Sequence, residues 1–145
     1  MLAIILSMHE KIYSLLSKFV LMIDVNKNNE PLDLSYLREM SGDSAEFIVE
    51  MIDVFKDQTP SYIADLGAAM KAKDWIKVSN CAHKIKPTFA YLGREDAKEH
   101  MQAMEQAARE AHVDEEALEK SYTEIVEFMD VLYKQLEEAR AKLLA

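Results

Sequence analysis

The segment around His83 carries the residue types of this sequence that could do chemistry. At about 100° per residue, a helix over residues 75–94 gathers its apolar side chains on one side: Val78, Ala82, Ile85, Phe89 and Leu92. His83 points about 130° away from the centre of that side, so we expect its side chain at the surface. Histidine has a reference pKa of about 6.5, and a neutral ring nitrogen is therefore available as a nucleophile near pH 7.

The neighbours of His83 on this outer side leave its ring accessible to another protein. They are all compact: Asn80, Pro87 and Ala90. Lys84 and Lys86 flank the same side, where ammonium groups would attract a phosphoryl group and stabilise a phosphohistidine. Because Pro87 has no N–H, the carbonyl of His83 loses its helical partner, and we expect a local distortion of the helix there.

Composition restricts the classes of function that this chain can have. The 145 residues suffice for one domain, and only 3 glycines and 3 prolines interrupt them, which favours helix almost throughout. A net charge of -9 repels phosphate backbones, so no nucleic-acid partner is expected. The sequence has no Walker loop and no glycine-rich nucleotide loop, so we do not expect an enzyme with its own nucleotide site. Cys81 is the one cysteine, which excludes an internal disulfide and fits a reducing, cytoplasmic location.

Residues 1–27 are predicted to form an extra amphipathic helix and a linker, separate from a bundle domain over residues 28–145. Apolar residues recur there at helical spacing: Ile5, Met8, Ile12, Leu15, Leu16, Phe19 and Ile23. Charged side chains interrupt the stretch, which lacks the roughly 20 mostly apolar residues of a transmembrane segment. We expect a monomer with this helix docked on the bundle. Dimerisation through the helix and contact with a membrane surface are the alternatives.

Capping residues and apolar periodicity predict the helices that position His83. The aspartates expected to begin helices are Asp33, Asp43, Asp74 and Asp114. Gly93 is expected to end the helix that carries His83, and the next helix is expected over residues 95–111. Pro60 lies inside a long helix whose apolar stripe continues in phase, which predicts a kink. These elements predict an all-α fold: an antiparallel four-helix bundle with a short flanking helix and the extra N-terminal helix.

The motif around His83 resembles the signature of the histidine-phosphotransfer (Hpt) domain family. The residues that carry the resemblance are Ala82-His83-Lys84-Ile85-Lys86-Pro87, followed by Leu92-Gly93. The layout of helices over residues 32–143 is similar as well. The family more often has a glycine where this sequence has Pro87, and a small residue where it has Phe89. The resemblance implies a four-helix bundle that carries a phosphoryl group between proteins of a two-component phosphorelay.

The resemblance also implies roles for individual residues. His83 would carry the phosphoryl group on its outer ring nitrogen, and Lys86 would support that group electrostatically. Many family members have a glutamine on the following helix that hydrogen-bonds the histidine. The matching position here is Glu105, with Gln102 and Gln106 nearby as alternatives.

Partners follow from the same resemblance. They are response-regulator receiver domains and a hybrid or upstream histidine kinase, with Mg²⁺ on the receiver and no metal or cofactor held by this chain. In the family, the short helix and the histidine helix together bind the receiver. This implies docking contacts through Asn80, Ala90, Leu37 and Met40.

Other functions compete with phosphotransfer. A carboxylate-bridged metal bundle would need Glu-x-x-His pairs, and none occurs. A kinase dimerisation helix also carries a phosphorylatable histidine, but this chain lacks the ATP-binding half. The main alternative is a module that docks receivers without exchanging phosphate, which the presence of both His83 and Lys86 disfavours. The remaining histidines are expected to be solvated: His9, His100 and His112.

Overall fold

Six α-helices and one 3-10 turn make up the part of the chain that the structure describes. This computed structural model describes residues 2–20 and 23–145, with side chains for residues 2–12 and 23–145. The elements are α1 (Leu2–Val20), the 3-10 turn (Val25–Asn29), α2 (Ser35–Ser41), α3 (Ala45–Lys71), α4 (Trp75–Tyr91), α5 (Glu95–Ala108) and α6 (Glu115–Leu144). The described residues form no strand, and the predicted all-α fold is confirmed.

Helices α3 to α6 form a bundle whose core fixes the orientation of α4. Helix α3 contacts α4 and α6, α5 contacts the same two helices, and α2 lies against α3. The five apolar residues predicted on the inner side of α4 are all buried. Among them, Phe89 meets Phe128 of α6 edge-to-face with ring centroids 5.7 Å apart, a contact that adds about 0.5–1.5 kcal/mol beyond burial. The opposite side of α4, which carries His83, therefore faces solvent.

Side-chain caps fix where three of the bundle helices begin. Asp74 and Asp114, as predicted, each accept a hydrogen bond from the backbone N–H three residues on, at 3.2 and 3.1 Å. The sequence prediction for α3 is wrong by one residue, because Ser44 is the cap and its hydroxyl accepts from the N–H of Phe47. Asp43 has a φ of +64°, whereas an N-cap residue takes an extended conformation.

The start of α2 and the end of α5 also differ from the sequence prediction. Leu34 occupies the N-cap position of α2, and Asp33 instead accepts a hydrogen bond from the N–H of Ser35 at 3.0 Å. Helix α5 ends at Ala108, three residues before its predicted end, because the chain turns over residues 109–113 to reach the cap of α6.

Two prolines lie within helices, and neither ends one. Helix α3 continues through Pro60 and α4 continues through Pro87. Buried apolar residues lie on both sides of Pro60, at Phe55 and Leu66. Core packing on both flanks stabilises the helix where the missing N–H weakens it.

The chain before α2 is bound to the bundle by a group that we call the Arg94 cluster: Arg94, Asp96, Gln135, Asn28 and Asp24. The Arg94 side chain, between α4 and α5, is only 2% exposed. Its guanidinium donates to the two carboxylate oxygens of Asp96 at 3.0 and 2.8 Å. It also donates to Gln135 Oε1 at 2.9 Å and to Asn28 Oδ1 at 2.8 Å. Asp96 Oδ2 in turn accepts from the N–H of Asp24 at 2.9 Å.

The same cluster holds the 3-10 turn against α6. Gln135 Nε2 donates to the carbonyls of Lys27 and Glu30 at 2.8 and 2.9 Å. The stretch expected to be a linker therefore includes a turn that packs on the bundle. A domain boundary at residue 27 falls within this turn and stays a prediction.

Helix α1 presents its described side chains to solvent. The large apolar residues exposed there are Leu2, Ile4, Ile5, Leu6, Met8 and Ile12. The expected docking of this helix on the bundle is therefore wrong for residues 2–12, although Ile23 beyond the helix packs against the core. The predicted apolar positions 15, 16 and 19 lie outside the described side chains. No helix in the described ranges is long and apolar enough to cross a membrane.

Candidate functional site

His83 lies midway along α4 on the side that faces away from the core. Its side chain is 66% exposed, which confirms the predicted surface position. Ring Nδ1 lies 2.9 Å from Oε1 of Glu105 on α5. An ionised carboxylate can only accept, so we assign the ring proton to Nδ1, which donates. The free electron pair then belongs to Nε2, the nitrogen that a nucleophilic reaction would use.

Glu105 is a buried carboxylate surrounded by cationic side chains. Its Oε2 lies 2.6 Å from Nζ of Lys86, and its Oε1 lies 3.3 Å from Nη2 of Arg109. The angles of the Lys86 contact fall outside hydrogen-bond geometry, but Coulomb attraction does not need that alignment. Burial alone would raise the pKa of Glu105. The contacts with Lys86 and His83 outweigh burial and hold this pKa below its ordinary value, so Glu105 is ionised at neutral pH.

We call these residues the Glu105 cluster: Glu105, His83, Lys86, Gln102 and Arg109. The Lys86 side chain is 14% exposed and also donates a hydrogen bond to Oε1 of Gln102. Three residues were candidates for the contact to the histidine ring, and the structure places Glu105 there. Gln102 instead accepts from Lys86, so the hydrogen-bond acceptor and the ion-pair partner of the lysine both lie on α5.

Arg109 is a member of this site that the sequence analysis did not identify. It immediately follows α5, and its Nε donates to the hydroxyl of Ser79 on α4 at 2.7 Å. Ser79 is buried and lies 30 positions earlier in the chain, so nothing in the sequence predicts that contact. The four-residue spacing from Glu105 to Arg109 is the one available signal, because such pairs meet on a helix surface.

Lys84 lies on the opposite flank of α4 from the Glu105 cluster. Its Nζ sits 4.6 Å from the ring centroid of Tyr62 on α3, a cation–π contact. Lys84 and Lys86 therefore reach towards different neighbouring helices. The predicted support of a phosphoryl group by Lys84 stays a prediction.

The exposed side of α4 carries His83, and α2 meets α4 at the C-terminal end of that helix. Of the α4 residues expected on it, Asn80 and Pro87 are exposed and Ala90 is half-buried. Tyr36 of α2 stacks on Tyr91 at the end of α4, with ring centroids 5.1 Å apart. This stacking places α2 at the C-terminal end of α4, two helical turns beyond His83.

The two docking residues predicted on α2 differ in exposure. Met40 is 51% exposed and can contact a partner. Leu37 is fully buried, so its predicted docking role is wrong. Its side chain belongs to the main hydrophobic core, where it attaches α2 to the bundle. Tyr36, which is about half exposed, is a surface residue in its place.

Gly93 follows α4 in the left-handed conformation, as predicted for the end of this helix. Its φ is +72°, a conformation that glycine adopts without steric cost. A Cβ at this position would lie 2.7 Å from Cβ of Asp33. Glycine is therefore needed both for the turn and for the close approach of the chain that enters α2.

His100 is buried, contrary to the expectation that it is solvated. It is 1% exposed, and its Nε2 lies 2.8 Å from the carbonyl oxygen of Ser121. The spacing of apolar residues on α5 did not reveal this position because its partner is a backbone carbonyl on α6. His9 and His112 are exposed, as expected. Burial excludes His100 from reaction with a macromolecular partner.

An open cavity of about 520 Å³ lies next to the Glu105 cluster, between the start of α4 and the end of α5. Its lining includes Trp75, Ile76, Ser79, Asn80, Arg109 and Val113. Arg109 therefore has one side towards this cavity and the other towards Glu105.

Comparison with known families agrees with the geometry of the site. The family model of the Hpt domain matches residues 50–142, which is more than half of the chain. No curated protein and no solved structure matches the chain. The matched range contains α4, with His83, and the whole of α5. The chain therefore belongs to the Hpt domain family, whose members are phosphocarriers that transfer phosphoryl groups through a histidine in phosphorelays.

Proposed function

We propose that this protein is a phosphorelay intermediate that accepts a phosphoryl group on Nε2 of His83 from an aspartate of a receiver domain. It then passes the group to an aspartate of another receiver. A hybrid or upstream histidine kinase is the source of the phosphoryl groups that enter the relay. The observation that carries this proposal is the hydrogen bond from Nδ1 of His83 to Glu105. In the neutral ring, this bond makes Nε2 the nitrogen without a proton, on an exposed side chain.

The proposed transfer uses the ring as a nucleophile and needs no nucleotide. As the Nε2–P bond forms, the P–O bond to the receiver aspartate breaks and its electron pair returns to the aspartate carboxylate. Nδ1 keeps its proton throughout, so the phosphorylated ring is a cation. The Glu105 carboxylate, 2.9 Å away, stabilises that positive charge. Mg²⁺ held by the receiver would neutralise negative charge on the phosphoryl oxygens during transfer.

Lys86 is proposed to support the phosphoryl group from its position in the Glu105 cluster. Its ammonium neutralises part of the negative charge of Glu105, to which it is held at 2.6 Å. A dianionic phosphoryl group on the neighbouring ring would otherwise meet an unbalanced carboxylate. The cation thus lowers the electrostatic cost of bringing the phosphoryl group to His83.

The receiver is proposed to dock on the surface that surrounds His83. The exposed residues proposed to contact the receiver are Asn80 and Pro87 from α4, with Tyr36 and Met40 from α2. Aromatic and methionine side chains are enriched at protein interfaces, and compact neighbours let a partner approach the ring. Phosphoryl transfer requires this approach because the receiver contributes the metal and the phosphorylated aspartate.

The test is transfer of labelled phosphoryl from a phosphorylated receiver domain with Mg²⁺ to this protein. We expect acid-labile, base-stable label on the wild type and none on His83→Gln. The Arg140→Gln variant is the matched control, because it changes a side chain on α6 that pairs with Asp53 of α3. Binding of several receivers without any label on the wild type would contradict the proposal and favour a docking module that does not exchange phosphate.

A further inference from the structure

Three cationic or proton-donating side chains share the single carboxylate of Glu105. Oε2 faces Lys86, whereas Oε1 receives the ring of His83 and also approaches Nη2 of Arg109. The two oxygens therefore have different partners. If the Glu105 side chain rotated towards Lys86 alone, it would lose its contact with His83, because the same carboxylate contacts both residues.

Arg109 is tied to both helices of the site. Its Nε donates to the hydroxyl of Ser79 at 2.7 Å, and its Nη2 lies 3.3 Å from Glu105 Oε1. Ser79 is buried on α4, one helical turn before His83. The guanidinium thus connects the helix of the nucleophile with the helix of the carboxylate through two separate nitrogens, a geometry that its planar fork permits.

The contribution of Arg109 is orientation rather than stability. Its side chain is 61% exposed, so solvent screens the ion pair with Glu105 and little folding free energy is expected from it. The tautomer of His83 depends instead on the position of Glu105 Oε1, since the hydrogen bond to Nδ1 selects which ring nitrogen carries the proton.

We infer that Arg109 is a positioning residue that holds Oε1 of Glu105 against Nδ1 of His83 and so makes Nε2 the nucleophilic nitrogen of the neutral ring. This inference rests on the proposed function for its effect on rate, but its effect on the ring does not. The polar contacts of Arg109 are with Ser79 and Glu105 rather than with the ring of His83. It acts through Glu105 and is anchored by Ser79.

The first experiment measures the tautomer of His83 from the ¹⁵N shifts of its ring nitrogens, at a pH where the ring is neutral. We expect the Nδ1–H form to dominate in the wild type and in Arg140→Gln, which removes an arginine with a comparable ion pair. Arg109→Gln is expected to shift the populations towards a mixture of both tautomers. Equal spectra for Arg109→Gln and Arg140→Gln would overturn the inference, whether or not the protein accepts phosphoryl groups.

The second experiment compares transfer rates from one phosphorylated receiver. We expect Arg109→Gln to slow transfer roughly 10-fold, with circular dichroism and thermal unfolding close to those of the wild type. In a Glu105→Gln background the further effect of Arg109→Gln should fall below about twofold, because the charged carboxylate it positions is gone. Independent, multiplying effects of the two substitutions would contradict action through Glu105. A wild type that accepts no label would overturn the proposed function and leave the tautomer result intact.

Discussion

Two clusters of buried charge include residues of α5, and they differ in whether a polar atom remains available to a partner protein. In the Arg94 cluster, a guanidinium that is 2% exposed donates to a carboxylate, two amide oxygens and a carbonyl, all within the protein. In the Glu105 cluster, a carboxylate that is 6% exposed receives three partners, one of which is the exposed ring of His83. The Arg94 guanidinium therefore has all these partners within the protein, whereas the second cluster leaves one ring nitrogen of His83 available.

This difference separates a structural role from the chemical role that we propose. A buried ion is tolerated when all its partners are in place, and removing one partner is then costly. The Arg94 cluster meets that description and joins the 3-10 turn, α5 and α6. The Glu105 cluster uses the same kind of contacts to fix the proton of His83 on Nδ1. Predictions about stability therefore concern the first cluster, and predictions about transfer concern the second.

The largest expected effect on stability is that of Arg94→Met. This substitution leaves the carboxylate of Asp96 buried without its cation, and we expect a loss of about 3–5 kcal/mol in the free energy of unfolding. Urea unfolding measures this loss. Glu105→Gln, which keeps an acceptor for His83, should cost less than about 1.5 kcal/mol. Equal losses for the two variants would remove the proposed distinction between the clusters.

Gly93→Ala is expected to have the next largest effect. Gly93 and Gly42 have φ values of +72° and +64°, so alanine costs about 1–2 kcal/mol at each from backbone conformation. Nothing lies within 4 Å of a Cβ at Gly42, but a Cβ at Gly93 would collide with Asp33. We therefore expect Gly93→Ala to destabilise by roughly 1–3 kcal/mol more than Gly42→Ala, as measured by thermal and urea unfolding. Equal losses of stability at both positions would show that the close approach of Asp33 does not restrict the side chain at position 93.

Acid unfolding should depend on Asp96 more than on an exposed aspartate. Burial alone would raise the pKa of Asp96, but hydrogen bonds from Arg94 and from the N–H of Asp24 hold it below its ordinary value. Its contribution is therefore complete above the unfolded pKa of about 3.9 and is lost as pH falls through the lower folded pKa. We expect Asp96→Asn to flatten the fall in unfolding free energy below about pH 4.

Asp53→Asn is the matched control for this pH dependence. The pKa of Asp53 is also lowered, by its hydrogen bond with Arg140, but its side chain is about half exposed and the pair is screened by solvent. At acid pH, the fall in the unfolding free energy of this variant should stay close to that of the wild type. A stronger flattening by Asp53→Asn than by Asp96→Asn would contradict the account.

The smallest effect is expected for Lys84→Gln. Lys84 contacts Tyr62 on the opposite flank of α4 and lies outside both clusters. We expect a change in transfer rate below about twofold and a change in unfolding free energy within about 0.5 kcal/mol. Lys86→Gln, which removes the cation at 2.6 Å from Glu105, should slow transfer clearly more. A larger effect at Lys84 than at Lys86 would show that the ion pairing of Lys86 does not determine its role.

Periodicity made the exposed side of the site predictable. The position of His83 opposite the buried Phe89 follows from 3.6 residues per turn, because the core selects one side of α4. Asp74 and Gly93 were predictable as helix ends because their signals are local. The cap of α3 was missed because Asp43 and Ser44 are adjacent residues of equal capping ability, and only the positive φ of Asp43 separates them.

Contacts between distant segments account for what the sequence did not predict. Arg94 is a charged residue that composition would place at the surface, yet partners 66 and 41 positions away permit its burial. Arg109 joins the site through Ser79, and His100 is buried against α6. Each depends on how helices are placed in space, which no local pattern in the sequence records.

The most direct test of the central claim is to identify which atom carries the phosphoryl group. The protein, labelled with ¹⁵N-histidine, is phosphorylated by a phosphorylated receiver with Mg²⁺ and studied by ³¹P and ¹⁵N NMR. We expect one phosphoryl group on Nε2 of His83, with Nδ1 still protonated and bonded to Glu105. A phosphoryl group on Nδ1, or on a different residue, would contradict the account, because the hydrogen bond to Glu105 could not then determine the nucleophile.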